Sequence, residues 1–283
     1  MSVFNKAFAD PIRSADWLLR VAVLMHACGV AVGIFTGAGS GLGGVALMEW
    51  GIPHDPIFLT ERIVALVLLA LALSLFIYPS ALATVLISLT IIAECWASYR
   101  FGGEYFSEYT MLTHAPRYLL PIGLLCLTVY RRASVSVHRS LAAAVWVLRI
   151  ALVTVFTIHG IEALLHNPRF IDLIIGSMYR VFGAGVSESS AKVALTIIGV
   201  VDVLAALTLL VRPGRRLLYW MCFWGFITAF SRPLAMGFAS YPDVLLRASH
   251  FLAPIALWLL IRYARQTSLG SAPEKVATEV AER

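Results

Sequence analysis

His159, Glu162 and His166 lie within one apolar stretch, Trp146 to Arg169. Their spacing is i, i+3 and i+7, so a helix running through them presents all three on one face. Ionisable groups in hydrocarbon are costly and face a bundle interior or a wet cavity. Three chemistries suit these residue types. Imidazoles and a carboxylate suit a metal or a haem iron, with His250 or His26 brought in from another helix. One helix supplies too few ligands for that, and its two histidines stand about 10 Å apart. The same groups suit proton transfer or substrate binding, beside arginines that hold an anionic or carbonyl-bearing ligand. They also suit interhelical hydrogen bonds and ion pairs, such as Glu162 with Arg232 or Arg247.

The elements that must position these residues are membrane helices. The chain is 60% hydrophobic and 13% charged, about half the charge of a soluble domain, and its mean hydropathy is +0.84. That excludes an ordinary soluble enzyme and points to a polytopic protein whose main partner is the lipid bilayer. No cleavable signal is expected, because the first residues are polar. The pI of 9.3 comes without a basic stripe, so nucleic acid is not an expected partner and the excess charge is read as topology. Cys28, Cys95, Cys126 and Cys222 all fall within apolar runs without a CxxC pair, as free buried thiols would.

At about 20 apolar residues per crossing, eight spans are expected, near 17–36, 62–78, 80–99, 117–131, 144–166, 192–211, 217–235 and 245–263. The side carrying the N-terminus, the short connections and the C-terminal tail holds 14 of the 22 Lys and Arg residues, Arg131, Arg132 and Arg212 among them. The positive-inside rule then places both termini in the cytoplasm of a cell inner membrane and the long connections outside. Arg20 and Arg149 each follow a Trp by three residues at a helix entrance, as snorkelling interface anchors do.

The landmarks recur. Trp17-Leu-Leu-Arg20 matches Trp146-Val-Leu-Arg149, Pro79 matches Pro213, and Pro121-Ile-Gly-Leu matches Pro254-Ile-Ala-Leu. The Trp-to-Pro distances are 62 and 67 residues, and the Pro-to-Pro distances are 42 and 41. The expectation is an all-α membrane protein of two parallel four-helix repeats, residues 1–135 and 136–266, with a solvated tail over 267–283. An even number of spans per unit gives both halves one orientation, with the pseudo-axis along the membrane normal. His114-x-x-Arg117 in one half stands where Arg247-x-x-His250 stands in the other, each before the matching proline.

On this topology Glu94, Arg117, Arg232, Arg247, His250 and the His159 face all belong to the outer part of the bundle. His26 and Asp202 lie nearer its middle, as relay points inward. The site expected is one outward-facing cavity weighted toward the second half. His159 and Glu162 would handle protons, and His166, Arg232, Arg247, His250, Arg117 and Glu94 would hold a substrate. Residues 168–182 have apolar positions at helical spacing and are expected to lie as an interfacial helix over that cavity. Gly37 to Gly44 superficially matches a dinucleotide fingerprint, but it follows a membrane helix and is read as a flexible surface or re-entrant loop. Tyr99, Phe101, Tyr105, Phe106 and Tyr109 fit an aromatic belt.

The four-span unit resembles the DoxX-like membrane proteins. In that family a first helix begins with a Leu-Arg pair and ends in a His-Gly or Gly-rich turn, as Leu148-Arg149 through His159-Gly160-Ile161-Glu162 do here. A proline-containing hairpin then joins the second and third helices, as at Pro79 and Pro213. The resemblance covers the second half best. In the first half His26 comes one turn early and Glu162 has no equivalent. The resemblance implies a membrane-bound oxidoreductase or a quinol-linked accessory role, often within a larger complex. A quinone, or a small membrane or periplasmic redox partner, is therefore the expected ligand. Haem through His159 or His250, a permease for a small anion, and a non-catalytic assembly subunit are the alternatives.

Overall fold

The computed structural model describes residues 10–101, 106–132, 137–183 and 185–270. The expected unit boundary at 135, Tyr105 of the aromatic belt and the tail beyond Gly270 lie outside the described residues. Within them the chain is helical and contains no strand. The helices are α1 (Pro11–Phe35), α2 (Gly41–Met48), α3 (His54–Ile77), α4 (Ala81–Phe101), α5 (Thr110–Thr113), α6 (Ala115–Arg132), α7 (Val137–Leu164), α8 (Pro168–Phe182), α9 (Glu188–Val211), α10 (Arg215–Met236), α11 (Tyr241–Leu246) and α12 (Ala248–Gly270). A long helix, a short one, two long ones, a one-turn element, a short helix and a long helix follow one another, and the order then recurs.

Six helical stretches are long and apolar enough to cross a membrane: those of α1, α3, α4, α7 and α9, and Phe238–Thr267 containing α12. α6 and α10 are long but carry Arg, Tyr, Trp and Pro, which lower their mean hydropathy, and they pack in the same bundle. The outward faces are greasy. Leu59, Ile63, Leu66 and Leu73 of α3 and Val193, Ile197, Leu204 and Leu207 of α9 are exposed, as contact with lipid chains requires and contact with water penalises. α1 packs most extensively on α12, and α6 on α7, so the first helix of each half abuts the last helix of the other. One apolar core then runs through both halves, with Leu19, Leu124, Leu148, Leu209 and Leu257 fully buried. All four cysteines are free.

The element ends depart from the sequence expectation in physically clear ways. α3 starts at His54, eight residues before the expected span, with Asp55 in its first turn, where a carboxylate suits the helix dipole. α7 stops at Leu164, because Asn167 caps α8 through its bond from Arg169 N and Pro168 occupies the first helical position. α8 is amphipathic and packs on α9 and α10, as an overlying helix should.

Neither Arg20 nor Arg149 acts simply as a snorkelling anchor. Arg20 is buried, pairs with Asp16 at 2.8 Å and donates from Nη1 to the carbonyl of Leu75 near the end of α3. Arg149 donates to the carbonyls of Leu209 (2.9 Å) and Leu210 (2.6 Å) near the end of α9. The last carbonyls of a helix have no internal partner and carry its negative dipole end, so a guanidinium satisfies both needs. Leu75 and Leu209 each stand four residues before the matching prolines Pro79 and Pro213.

The glycine run is also not a flexible loop. Ser40 caps α2 by accepting from Gly43 N. The carboxylate of Glu61 accepts from Ser40 N (2.8 Å) and Ser40 Oγ (2.6 Å), and Glu94 accepts from Gly41 N (2.9 Å). A Cβ at Gly43 would collide with Glu61 Oε1. Gly43→Ala is therefore expected to displace Glu61 from the start of α2 and to destabilise the fold by about 1–3 kcal/mol. A thermal unfolding midpoint unchanged from wild type in mixed micelles would contradict this.

Candidate functional site

The residues expected to form one site divide between two cavities. In the second half, a cavity of about 260 Å³ lies between α7, α8, α9, α10 and α12. His159, Asp202, Arg232, Arg247 and His250 line it among largely apolar walls that include Phe156, Phe170 and Met178. A second cavity, of about 690 Å³, lies in the first half and is lined by His26, Glu61, Glu94, His114, Arg117 and Asp243 among others. The expectation of a single cavity weighted to the second half is thus corrected. The charged and imidazole groups of the larger cavity come from α1, α3, α4, α6 and α11 and from the connection before α6, so no single helical face signals them.

The centre of the smaller cavity is a pair. His159 Nδ1 lies 2.8 Å from a carboxylate oxygen of Glu162, one turn further along α7. The other oxygen of Glu162 accepts from Asn167 Nδ2 at 3.3 Å. Glu162 and Asn167 are buried, whereas the His159 side chain is 30% exposed. The carboxylate therefore sits behind the imidazole rather than in the cavity wall. An Nδ1–H donated to Glu162 fixes the tautomer and leaves Nε2 as the free ring nitrogen, the arrangement that orients a histidine base. Among the described residues the ion-pair partner of Glu162 is His159 rather than the expected Arg232 or Arg247.

The rest of the wall is cationic or hydrogen-bonding. The rings of His159 and His250 have centroids 6.1 Å apart, and Phe170 of α8 meets His159 edge-on at 5.7 Å. Arg232 donates to the carbonyl of Thr228 one turn back, and it is in no ion pair among the described residues. Arg247 donates to the carbonyl of Asp243 and stands 3.9 Å from its carboxylate. Asp202 lines the same cavity as His159. Its Oδ1 and Trp224 Nε1 are both buried, and the indole N–H is the donor that acts on the carboxylate. α7 and α9 touch backbone to backbone where Gly160 meets Gly199, and Asp202 follows three residues on, about 4.5 Å deeper along α9.

His166 leaves the group. It lies beyond the end of α7 with φ +56, and its ring bonds Thr196 Oγ1 of α9 at 3.0 Å. The expectation that it shares a helical face with His159 and Glu162 fails, because Asn167 and Pro168 end the helix before it. His26 lines the larger cavity and holds the carbonyl of Leu246 through Nδ1 at 3.2 Å.

Asn167, Trp224, His114 and Glu61 were not expected as site residues. The Asn-Pro pair was a readable cap signal. His114 was visible only in the His114-x-x-Arg117 match to Arg247-x-x-His250, and Trp224 and Glu61 carry no local signature. Among the described residues no group of three or more His, Cys, Asp or Glu is placed to hold a metal ion. Comparison of the chain with protein families, characterised proteins and solved structures gives no match.

Proposed function

We propose that the chain is an integral membrane protein of eight spans, in which α6 and α10 complete the six more apolar helices. Two four-helix units run in parallel, with both termini in the cytoplasm of a cell inner membrane and α2 and α8 on the outer side. The recurring helix order and the two arginine caps at matching positions support this reading.

The cavity under α8 takes the headgroup of a membrane quinone, or a small carbonyl-bearing redox partner. The observation that carries this is His159, backed by Glu162, lining a largely apolar pocket beside Arg232, Arg247 and His250. Apolar walls with a few convergent polar groups suit a hydrophobic ring that carries oxygens. The guanidinium groups donate to the ring oxygens, and His159 exchanges the proton that accompanies each electron. Reduction of a quinone takes two electrons and two protons, and the electrons come from a membrane or periplasmic redox partner. The likeness of the four-helix unit to DoxX-like proteins favours the same class.

Purified chain is expected to carry about one quinone per molecule on solvent extraction. Phe170→Ala and Arg232→Gln should each lower that content. Extracts free of quinone, from protein that also binds none when it is added, would sink the proposal.

A second reading is a permease for a small anion. It is favoured by His114 and Arg117 in one cavity standing in electrostatic range of Arg247 and His250 in the other. Uptake into proteoliposomes, abolished in Asp202→Asn, would select it.

A further inference from the structure

The larger cavity has a feature that the redox reading leaves unused. Arg117 lines it and is half-buried, with its Nε fully enclosed. Its Nε is buried with no partner, and the side chain makes no hydrogen bond or ion pair among the described residues. The nearest carboxylate acting on it is Asp243, which instead lies against Arg247. A guanidinium stays charged at any physiological pH, and an enclosed charge without a counter-ion is strongly unfavourable. Beside it His114, which lies in the connection before α6, has a buried Nδ1 that is likewise unpartnered. Burial first, with Arg117 and Arg247 adding to it, holds that imidazole well below its usual pKa, so it stays neutral and free to donate a hydrogen bond.

The other charged groups of the cavity are already engaged. Glu61 and Glu94 face the first amides of α2. Ser88 of α4 bonds the carbonyl of Tyr118, so Arg117 is level with Ser88. Glu94 then lies six residues, or about 9 Å, further toward α2. Arg117 and His114 thus stand at one end of the cavity with Asp243 in electrostatic range, and Val30, Ile34, Val64, Leu68 and Ile91 supply an apolar wall. Its volume of about 690 Å³ falls within the range of about 300–1,000 Å³ usual for small-molecule sites.

We infer that this first-half cavity is a binding site for a monocarboxylate with an apolar body, its carboxylate held by Arg117 and His114 and its chain lying along the apolar wall. This site is separate from the quinone cavity and does not depend on it.

The test is a calorimetric titration of the full chain in phosphatidylcholine nanodiscs with decanoate and with decanol, empty nanodiscs serving as the blank. Decanoate should bind at least about tenfold more tightly than decanol, as a charge-assisted bidentate contact implies. Arg117→Gln should erase that preference, and Arg232→Gln should leave it intact. Gly33→Phe is the second variant. A Cβ at Gly33 meets nothing closer than Ala38 Cβ at 3.9 Å, so the ring can enter the cavity, and decanoate binding should be lost with the helical circular dichroism unchanged. Equal affinity for decanoate and decanol in the wild type would overturn the inference. So would undiminished decanoate binding in Gly33→Phe, which decides the matter if Arg117→Gln does not fold.

Discussion

Arg20→Met is expected to destabilise the folded chain by about 3–5 kcal/mol, the range for breaking a buried ion pair by removing one partner. Asp16 would remain buried, at 2% exposure, without its guanidinium. The Leu75 carbonyl would also lose a donor at the end of α3. The counterpart Arg149→Met should cost less, about 1–2 kcal/mol, because Arg149 is partly exposed and bonds carbonyls rather than a carboxylate. The double variant Asp16→Leu with Arg20→Met should recover most of the loss, since a buried pair exchanged for apolar side chains is often neutral. Unfolding titrations in mixed micelles measure all three. Equal losses in Arg20→Met and Arg149→Met, or a double variant no better than the single, would contradict the buried-pair account.

Gly199→Leu is expected to destabilise the fold by about 3 kcal/mol or more. A Cβ there would stand 2.7 Å from the carbonyl oxygen of Gly160 and 2.7 Å from Leu164 Cγ, so α7 and α9 must separate. Small residues let membrane helices approach backbone to backbone, and this contact sets His159 and Asp202 into one cavity. Ligand binding in that cavity should therefore fall together with stability. Gly33→Ala, where the added Cβ has room, is the matched control and should leave both unchanged. Wild-type unfolding behaviour for Gly199→Leu would show that the crossing tolerates separation.

The contrast between these positions shows what could be read from the sequence. The His159–Glu162 contact was legible because it is local: i, i+3 on a helix fixes it before any tertiary structure exists. The roofing role of α8 was legible from its apolar spacing, and the capping asparagine and proline before it explain why His166 falls outside the group. Arg20 and Arg149 were visible as a matching pair, but their partners, the end carbonyls of α3 and α9, lie 55 to 61 residues away. The glycine run looked like a loop because the carboxylates that anchor it, Glu61 and Glu94, arrive from two distant helices. The larger cavity was hidden for the same reason. Apart from His114-x-x-Arg117, its polar groups are brought together by packing from separate helices.

The most direct test of the central claim is a calorimetric titration of a short-chain quinone into three proteins: wild type, Arg232→Gln and Arg117→Gln. If the headgroup lies under α8, affinity should fall at least about tenfold in Arg232→Gln, the loss expected from removing a charge-assisted hydrogen bond, and should stay at the wild-type value in Arg117→Gln. Quinone binding that ignores Arg232, or that is lost only with Arg117, would place the redox site elsewhere and contradict the account.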